Sequence, residues 1–262
     1  MANGEWSFAF SIRPTTHSAL PNPHSPCPIR KGGDAMTAWD RFVETFFKPD
    51  LLAQYWPDIL RGALVTVEIA AAVVVTGLAL GLILAGLRAY RIAVLNALIV
   101  IFVDIFRALP PLVAILLIYF GLPSVGIVLP SFVVLWLVLS FVLAAFAEEI
   151  FWAGITSTPK GQWEAARSTG LGFTQTLLYV VLPQAVRLGV PPLTNRTIAI
   201  TKNTALGTVI GVGEILNEAT TAQSFTGNAT PLMMGAIAYI VLFIPVVAVG
   251  RWIETRFAWK RA

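Results

Sequence analysis

The side chains able to do chemistry are few, and most stand where hydrocarbon is expected. Asp104 and Arg107 lie three apart in one apolar stretch; Asn195, Arg196, Thr201, Lys202, Asn203 and Thr204 crowd another; Glu68 stands alone in a third, and Glu148 and Glu149 close a fourth. A charge at the centre of a bilayer costs about 2.5–3.5 kcal/mol on insertion scales, so such residues face a cavity or a partner rather than lipid. The chemistry on offer is passage of a polar or charged solute, or ion pairing inside a helical bundle. Asp104 and Arg107 can pair on one helix face, either as structure or as part of a path. Arg196 and Lys202 either line that path or cap neighbouring helices. The candidate path therefore comprises Asp104, Arg107, Asn195, Arg196, Lys202 and Asn203.

Catalysis by this chain is not expected. His17, His24 and Cys27 all precede Met36, and no His or Cys follows it. That removes a zinc site of the His/Cys kind, a Cys nucleophile and a Ser-His-Asp triad from the rest of the chain. No GxxxxGK[ST] phosphate loop is present either. The chain is expected to carry no cofactor, and any ATP and Mg²⁺ would be handled by a partner.

The elements that must position these residues are membrane spans. Of 262 residues, 56% are hydrophobic and only 12% charged, with a mean hydropathy of +0.76. From Ala108 to Ala147 no residue carries a formal charge. As one helix that run would be about 60 Å long, twice a hydrocarbon core, so it must fold back. Gly121, Pro123, Gly126 and Pro130 mark the turn. The apolar runs predict five spans, at about Gly62–Leu87, Ile92–Phe120, Leu129–Ala153, Gln184–Val212 and Pro231–Arg251. Pro110 and Pro111 are expected to kink the second.

Basic residues cluster at alternate ends: Arg88 and Arg91, then Lys160, Arg167 and Arg187, then Arg251, Arg256, Lys260 and Arg261. The connections 122–131 and 213–230 contain no Lys or Arg. This asymmetry predicts an outside N terminus and a cytoplasmic C terminus. It also accounts for the net charge of +4 without nucleic acid. Residues 1–35, rich in Pro, Ser and Asn, read as a disordered extension or an upstream over-translation ahead of Met36. Residues 36–61 read as an amphipathic lead-in with Trp39, Tyr55 and Trp56 at the interface, 62–256 as the transmembrane domain and 257–262 as a cytoplasmic tail.

Between the third and fourth spans lies a polar loop, about 159–183. Pro159 can start a helix, Gln162–Thr169 supplies helix formers, and Gly170 is placed to end it in a left-handed residue. Ala165 and Ala166 are small enough for a partner to approach closely. A second short segment, Thr174–Val181, leads to Pro183 at the start of the fourth span.

Glu164, Ala165 and Ala166, with Gly170 and then Val180, Leu182 and Pro183 at fixed offsets, resemble the EAA loop of permease subunits of ATP-binding-cassette (ABC) importers. Phe102–Pro123 and Pro183–Leu206 resemble the matching runs of polar amino-acid permeases, and Glu149–Gly154 resembles their EIxRxG with Trp152 in place of Arg. Departures are Val142, Leu143, Ala144, Ala145 and Phe146 where relatives often carry a polar patch, and Asp104 for the more usual Glu. The resemblance implies an all-α integral membrane protein of five transmembrane helices with a cytoplasmic coupling helix, the type I ABC importer permease. It further implies a bacterial inner-membrane location, an ABC ATPase dimer as partner, an extracytoplasmic solute-binding protein, a second permease subunit (identical or not) and a polar amino-acid substrate. On it, Glu164, Ala165, Ala166 and Gly170 carry coupling to the ATPase. The competing reading is a proton-coupled secondary amino-acid transporter using Asp104 or Glu68, which leaves the register of the loop unexplained.

Overall fold

The computed structural model describes residues 37–257; the readings of residues 1–35 and of the tail beyond 257 lie outside them. The described residues form ten α-helices and no strand. Four helical stretches are long and apolar enough to cross a membrane, and a bent pair makes a fifth span.

A short helix α1 (Ala38–Phe46) leads into α2 (Pro49–Arg88). The helix that carries the first predicted span thus begins at Pro49 rather than near Gly62, because Pro49 is a favourable first residue and Pro57 is absorbed inside. One face of α2 is buried at helical spacing: Gly62, Thr66, Ile69, Val73, Gly77, Gly81 and Ala85. Its partner is α5 (Ser131–Ser157), which runs in the same direction. Thr76 hydrogen-bonds Ser140 at 2.7 Å, and further along Gly81 meets Ala147. A Cβ added at Gly81 would stand 2.6 Å from the Ala147 Cβ and 2.8 Å from the Ala144 carbonyl oxygen. Within a membrane such small residues let backbones approach where water cannot drive association.

The second span is where expectation and structure differ most. Residues 92–120 do not make one kinked helix. They divide into α3 (Ala93–Ala108) and α4 (Pro111–Gly121), the latter followed by a 3₁₀ turn, and the two axes differ by 105°. Two consecutive prolines remove two backbone donors, and each biases the residue before it away from the helical region, a bias overridden at Pro191 and Pro192, which lie inside a later helix, but followed here. Leu109 and Pro110 accordingly adopt ψ of 130° and 132°.

The central helix α5 buries Val134, Leu135, Val138, Leu139, Val142 and Leu143 against Ile69 and Val73 of α2 and Ile115 of α4. After Pro159 comes α6 (Lys160–Ser168). A continuous rod of 38 residues follows, Phe173–Ile210, built from α7 (Phe173–Thr176), a π-helical turn at Leu177–Val181, α8 (Leu182–Lys202) and a 3₁₀ stretch at Asn203–Ile210. The separate Thr174–Val181 segment expected ahead of the fourth span is therefore its first turns. Pro183 does not start the helix because the π turn contains Tyr179, whose carbonyl would otherwise lack a donor and clash with the ring.

Gly211, at φ 73°, ends the rod. The connection read as a loop at 213–230 contains α9 (Ile215–Thr226), which is followed by the last span, α10 (Thr230–Phe257).

Candidate functional site

The charged residues sort into separate groups. Glu148 and Glu149 are adjacent in α5, so their side chains leave the helix about 100° apart. They serve different neighbours. Glu149 meets Arg107 of α3 at 2.8 Å, with both side chains partly exposed. Arg107 thus takes Glu149 instead of Asp104, the partner expected three residues away. The packing of α3 on α5 brings a carboxylate within reach of the last turn of α3, and Asp104, exposed, has no ion pair among the described residues. One turn back on α5, Phe146 receives two guanidiniums: Arg196 at 4.5 Å and Arg107 at 5.6 Å from the ring centre. Arg107, Phe146, Glu149 and Arg196 therefore make one constellation, and Arg196 has no carboxylate partner among the described residues.

Lys202 stands elsewhere. Six residues on a helix turn about 600°, leaving Lys202 some 120° around the rod from Arg196. Its Nζ lies 5.9 Å from the Phe243 ring, in a groove of about 660 Å³ against α10 that Tyr239 and Arg251 also line. Asn195 is exposed and Asn203 half-buried. The structure thus joins two of the six sequence-derived path residues, Arg107 and Arg196, and leaves Lys202 on another face.

Glu148 points the other way and is fully buried. Arg88 donates to both its oxygens, at 3.0 and 3.2 Å, while stacking over Trp152 at 4.7 Å. Glu148 and Glu149, adjacent in sequence, are thus tied to different helices. Arg88 as the last residue of α2 and Trp152 four after Glu148 were the only available sign, and it required knowing that α2 and α5 are neighbours.

Glu214 is a second buried carboxylate that the residue pattern did not reveal. It caps α9, accepting from the backbone N–H groups of Leu216 and Asn217 at 2.9 and 2.8 Å, from the Thr208 hydroxyl at 2.5 Å and from the Tyr239 hydroxyl. Gly62 of α2 packs directly on its backbone. Next to it Glu218, outside the spans, has its carboxyl held above the usual range, chiefly by burial and then by the nearby Asp58.

At the opposite end of the bundle, α6 behaves as its sequence suggests at its boundaries. It follows Pro159, and Gly170 adopts φ 90°, a conformation that costs other residues roughly 1 kcal/mol or more. Glu164, Ala165 and Gly170 are exposed, but Ala166 is buried within this chain. Its small side chain serves the packing of α6 on its own bundle and is not free to face a partner. Trp163 stacks on Phe173 at 5.5 Å, Tyr90 meets Phe173 edge-on at 5.3 Å, and the Tyr90 hydroxyl donates to Thr174. In the same turn Arg91 holds φ 57°, and it alone among described non-glycine residues has a positive φ. Left-handed backbone costs a residue with a side chain about 1–2 kcal/mol.

Among the described residues no group of three His, Cys, Asp or Glu could hold a metal. The chain is 36% identical over 199 residues, 74% of its length and 91% of the relative's, to a probable glutamine ABC transporter permease protein of Bacillus subtilis. It is 31% identical to an arginine transport system permease protein of the same organism, covering 76% of this chain and 92% of that one. Among solved structures it matches an amino acid ABC transporter at 30% identity and a TM-score of 0.71, over 78% of this chain and 96% of the other. Residues 77–259 match the family described as binding-protein-dependent transport system inner membrane component. A bundle of apolar helices carrying a polar helix between its third and fourth spans is thus placed by sequence as well as by shape: the chain belongs to that family, among its amino-acid ABC transporter permeases.

Proposed function

We propose that this chain is the permease subunit of a bacterial inner-membrane ABC importer for polar amino acids, driven by a separate ATPase dimer and loaded by an extracytoplasmic binding protein. The observation that carries this reading is α6. It is a polar helix outside the apolar bundle, with Glu164 and Ala165 exposed, Ala166 anchoring it inward and Gly170 turning the chain back. That end is the cytoplasmic one, as the basic residues indicate, and the C terminus lies with it while the N terminus lies outside. ATP and Mg²⁺ bind the ATPase, and a second permease subunit, identical or not, completes the membrane domain.

Displacement of α6 has a direct route inward. Trp163 stacks on Phe173, the first residue of the rod that carries Arg196. From Phe173 to Arg196 is about 35 Å of helix by rise alone. An amino acid presents a carboxylate and an ammonium; Arg196 offers the first a guanidinium with no acidic partner among the described residues, and Glu149 offers the second a carboxylate already shared with Arg107. Asp104, Asn195 and Asn203 supply further polar surface, while Lys202 faces α10.

The deciding experiment reconstitutes the chain with its ATPase and binding protein in proteoliposomes and follows uptake of labelled amino acids. Uptake should require enclosed ATP. Uptake driven by a proton gradient without the ATPase would establish the secondary transporter instead.

A further inference from the structure

We propose that the cavity between the α2–α3 turn, the end of α5 and α6 binds the phosphate headgroup of an anionic phospholipid. Its volume is about 540 Å³, within the range of small-molecule sites. Tyr90, Trp152, Trp163 and Phe173 wall it, and Arg91 and Lys160 bring the positive charge. Aromatic and basic side chains between helix ends at a membrane boundary are the combination that holds lipid headgroups.

The charge balance fits one phosphodiester. Arg88, close by, is already neutralised by Glu148. Arg91 and Lys160 have no ion pair among the described residues, and Glu164 in the same lining subtracts one charge, leaving a net of one positive charge against one negative phosphate. The position fits as well. Immediately after Arg91 the chain enters α3 with Ile92 and Val94 exposed at 56% and 73%, an apolar surface along which acyl chains can lie. Finally, Arg91 keeps a long cationic side chain on a left-handed backbone that glycine would adopt without strain. Strain retained in this way collects at ligand clamps.

The test uses the full-length chain purified in mild detergent, with bound lipid read by native mass spectrometry during titration with phosphatidylglycerol or phosphatidylcholine. The variant is Arg91→Gly combined with Lys160→Gln. Glycine suits the backbone at position 91, so folding is preserved, and unchanged phosphatidylcholine binding verifies it. At about fivefold in affinity per basic residue near an anionic headgroup, the double variant should bind phosphatidylglycerol about 30-fold more weakly. Equal phosphatidylglycerol binding by both proteins overturns the proposal. So does displacement of the lipid by millimolar inorganic phosphate, which would assign the cavity to a free anion.

Discussion

Removing Arg88 should damage this protein more than removing the carboxylate it serves. Glu148 is fully buried, whereas the Arg88 side chain is 22% exposed. In Arg88→Met the carboxylate keeps no partner, and breaking a buried pair from one side costs about 3–5 kcal/mol. In Glu148→Gln the amide oxygen still accepts from Arg88, and the guanidinium keeps its stack on Trp152. The loss is then that of a charge-assisted hydrogen bond, about 1.5–3 kcal/mol. Replacing both, Arg88→Met with Glu148→Leu, leaves no charge to desolvate and should recover most of the loss, as apolar replacements of buried pairs often do. Unfolding in mixed micelles by sodium dodecyl sulfate titration, followed by circular dichroism, measures all three variants. The expected order of stability is wild type, then double variant and Glu148→Gln, then Arg88→Met. If the double variant were no more stable than Arg88→Met alone, the two residues would not be coupled and the argument from burial would fail.

Gly81→Val would drive a side chain into the Ala144 carbonyl and the Ala147 Cβ, so the same titration should show a loss of about 1–3 kcal/mol, and an unchanged midpoint would contradict the close α2–α5 contact. Gly170→Asp forces a branched side chain onto φ 90° at the end of α6; membrane insertion should survive while ATPase stimulation by loaded binding protein falls, and normal stimulation would show that α6 is not the coupling element. Arg196→Met should raise the amino-acid concentration for half-maximal uptake or shift charge preference, whereas Lys202→Met, on the face toward α10, should do so less; equal effects on matched amounts of protein would remove the distinction between the two faces. With Cys27, the one cysteine, replaced by Ser, single cysteines at Ser124 and Ser224 should react with an impermeant thiol reagent on intact cells and one at Ser168 only after lysis, and labelling at Ser168 in intact cells would invert the topology.

The number of spans was legible because hydrocarbon thickness imposes a length, and the position of the break in the second because Pro110 and Pro111 stand there; its 105° sharpness was not, since the matching pair Pro191 and Pro192 is held inside α8. Gly170 was legible for a similar local reason. What sequence hid is everything that depends on which helices are neighbours. Arg107 has carboxylates at Asp104, on its own helix, and at Glu149, on another; helical spacing reveals only the first, yet the second makes the 2.8 Å contact. Glu148 looked like the twin of Glu149 although the two face different helices. The α9 helix was hidden because its cap, Glu214, is not among the usual capping residues, and its carboxylate becomes intelligible only when Thr208 and Tyr239 are seen to donate to it.

On the proposed function, a displacement of α6 that enters the rod meets α5 next, because α5 packs against the rod, α2 and α3 at once. One of its faces is tied to α2 through Glu148 and Arg88, and another to α3 through Glu149 and Arg107. Near its end, a Cβ on Gly154 would come within 2.8 Å of the Ala185 carbonyl oxygen, so the rod lies against it without intervening side chains. The two ion pairs differ in the resistance they offer. The buried one is costly to break and holds α2 and α5 as one body, while the exposed one is worth less in water and can exchange its partner. On the proposed function, the exchangeable pair is the one beside Arg196 and Phe146. A solute carrying its own ammonium and carboxylate can replace the Arg107 and Glu149 contacts there without disturbing the fixed α2–α5 unit behind them.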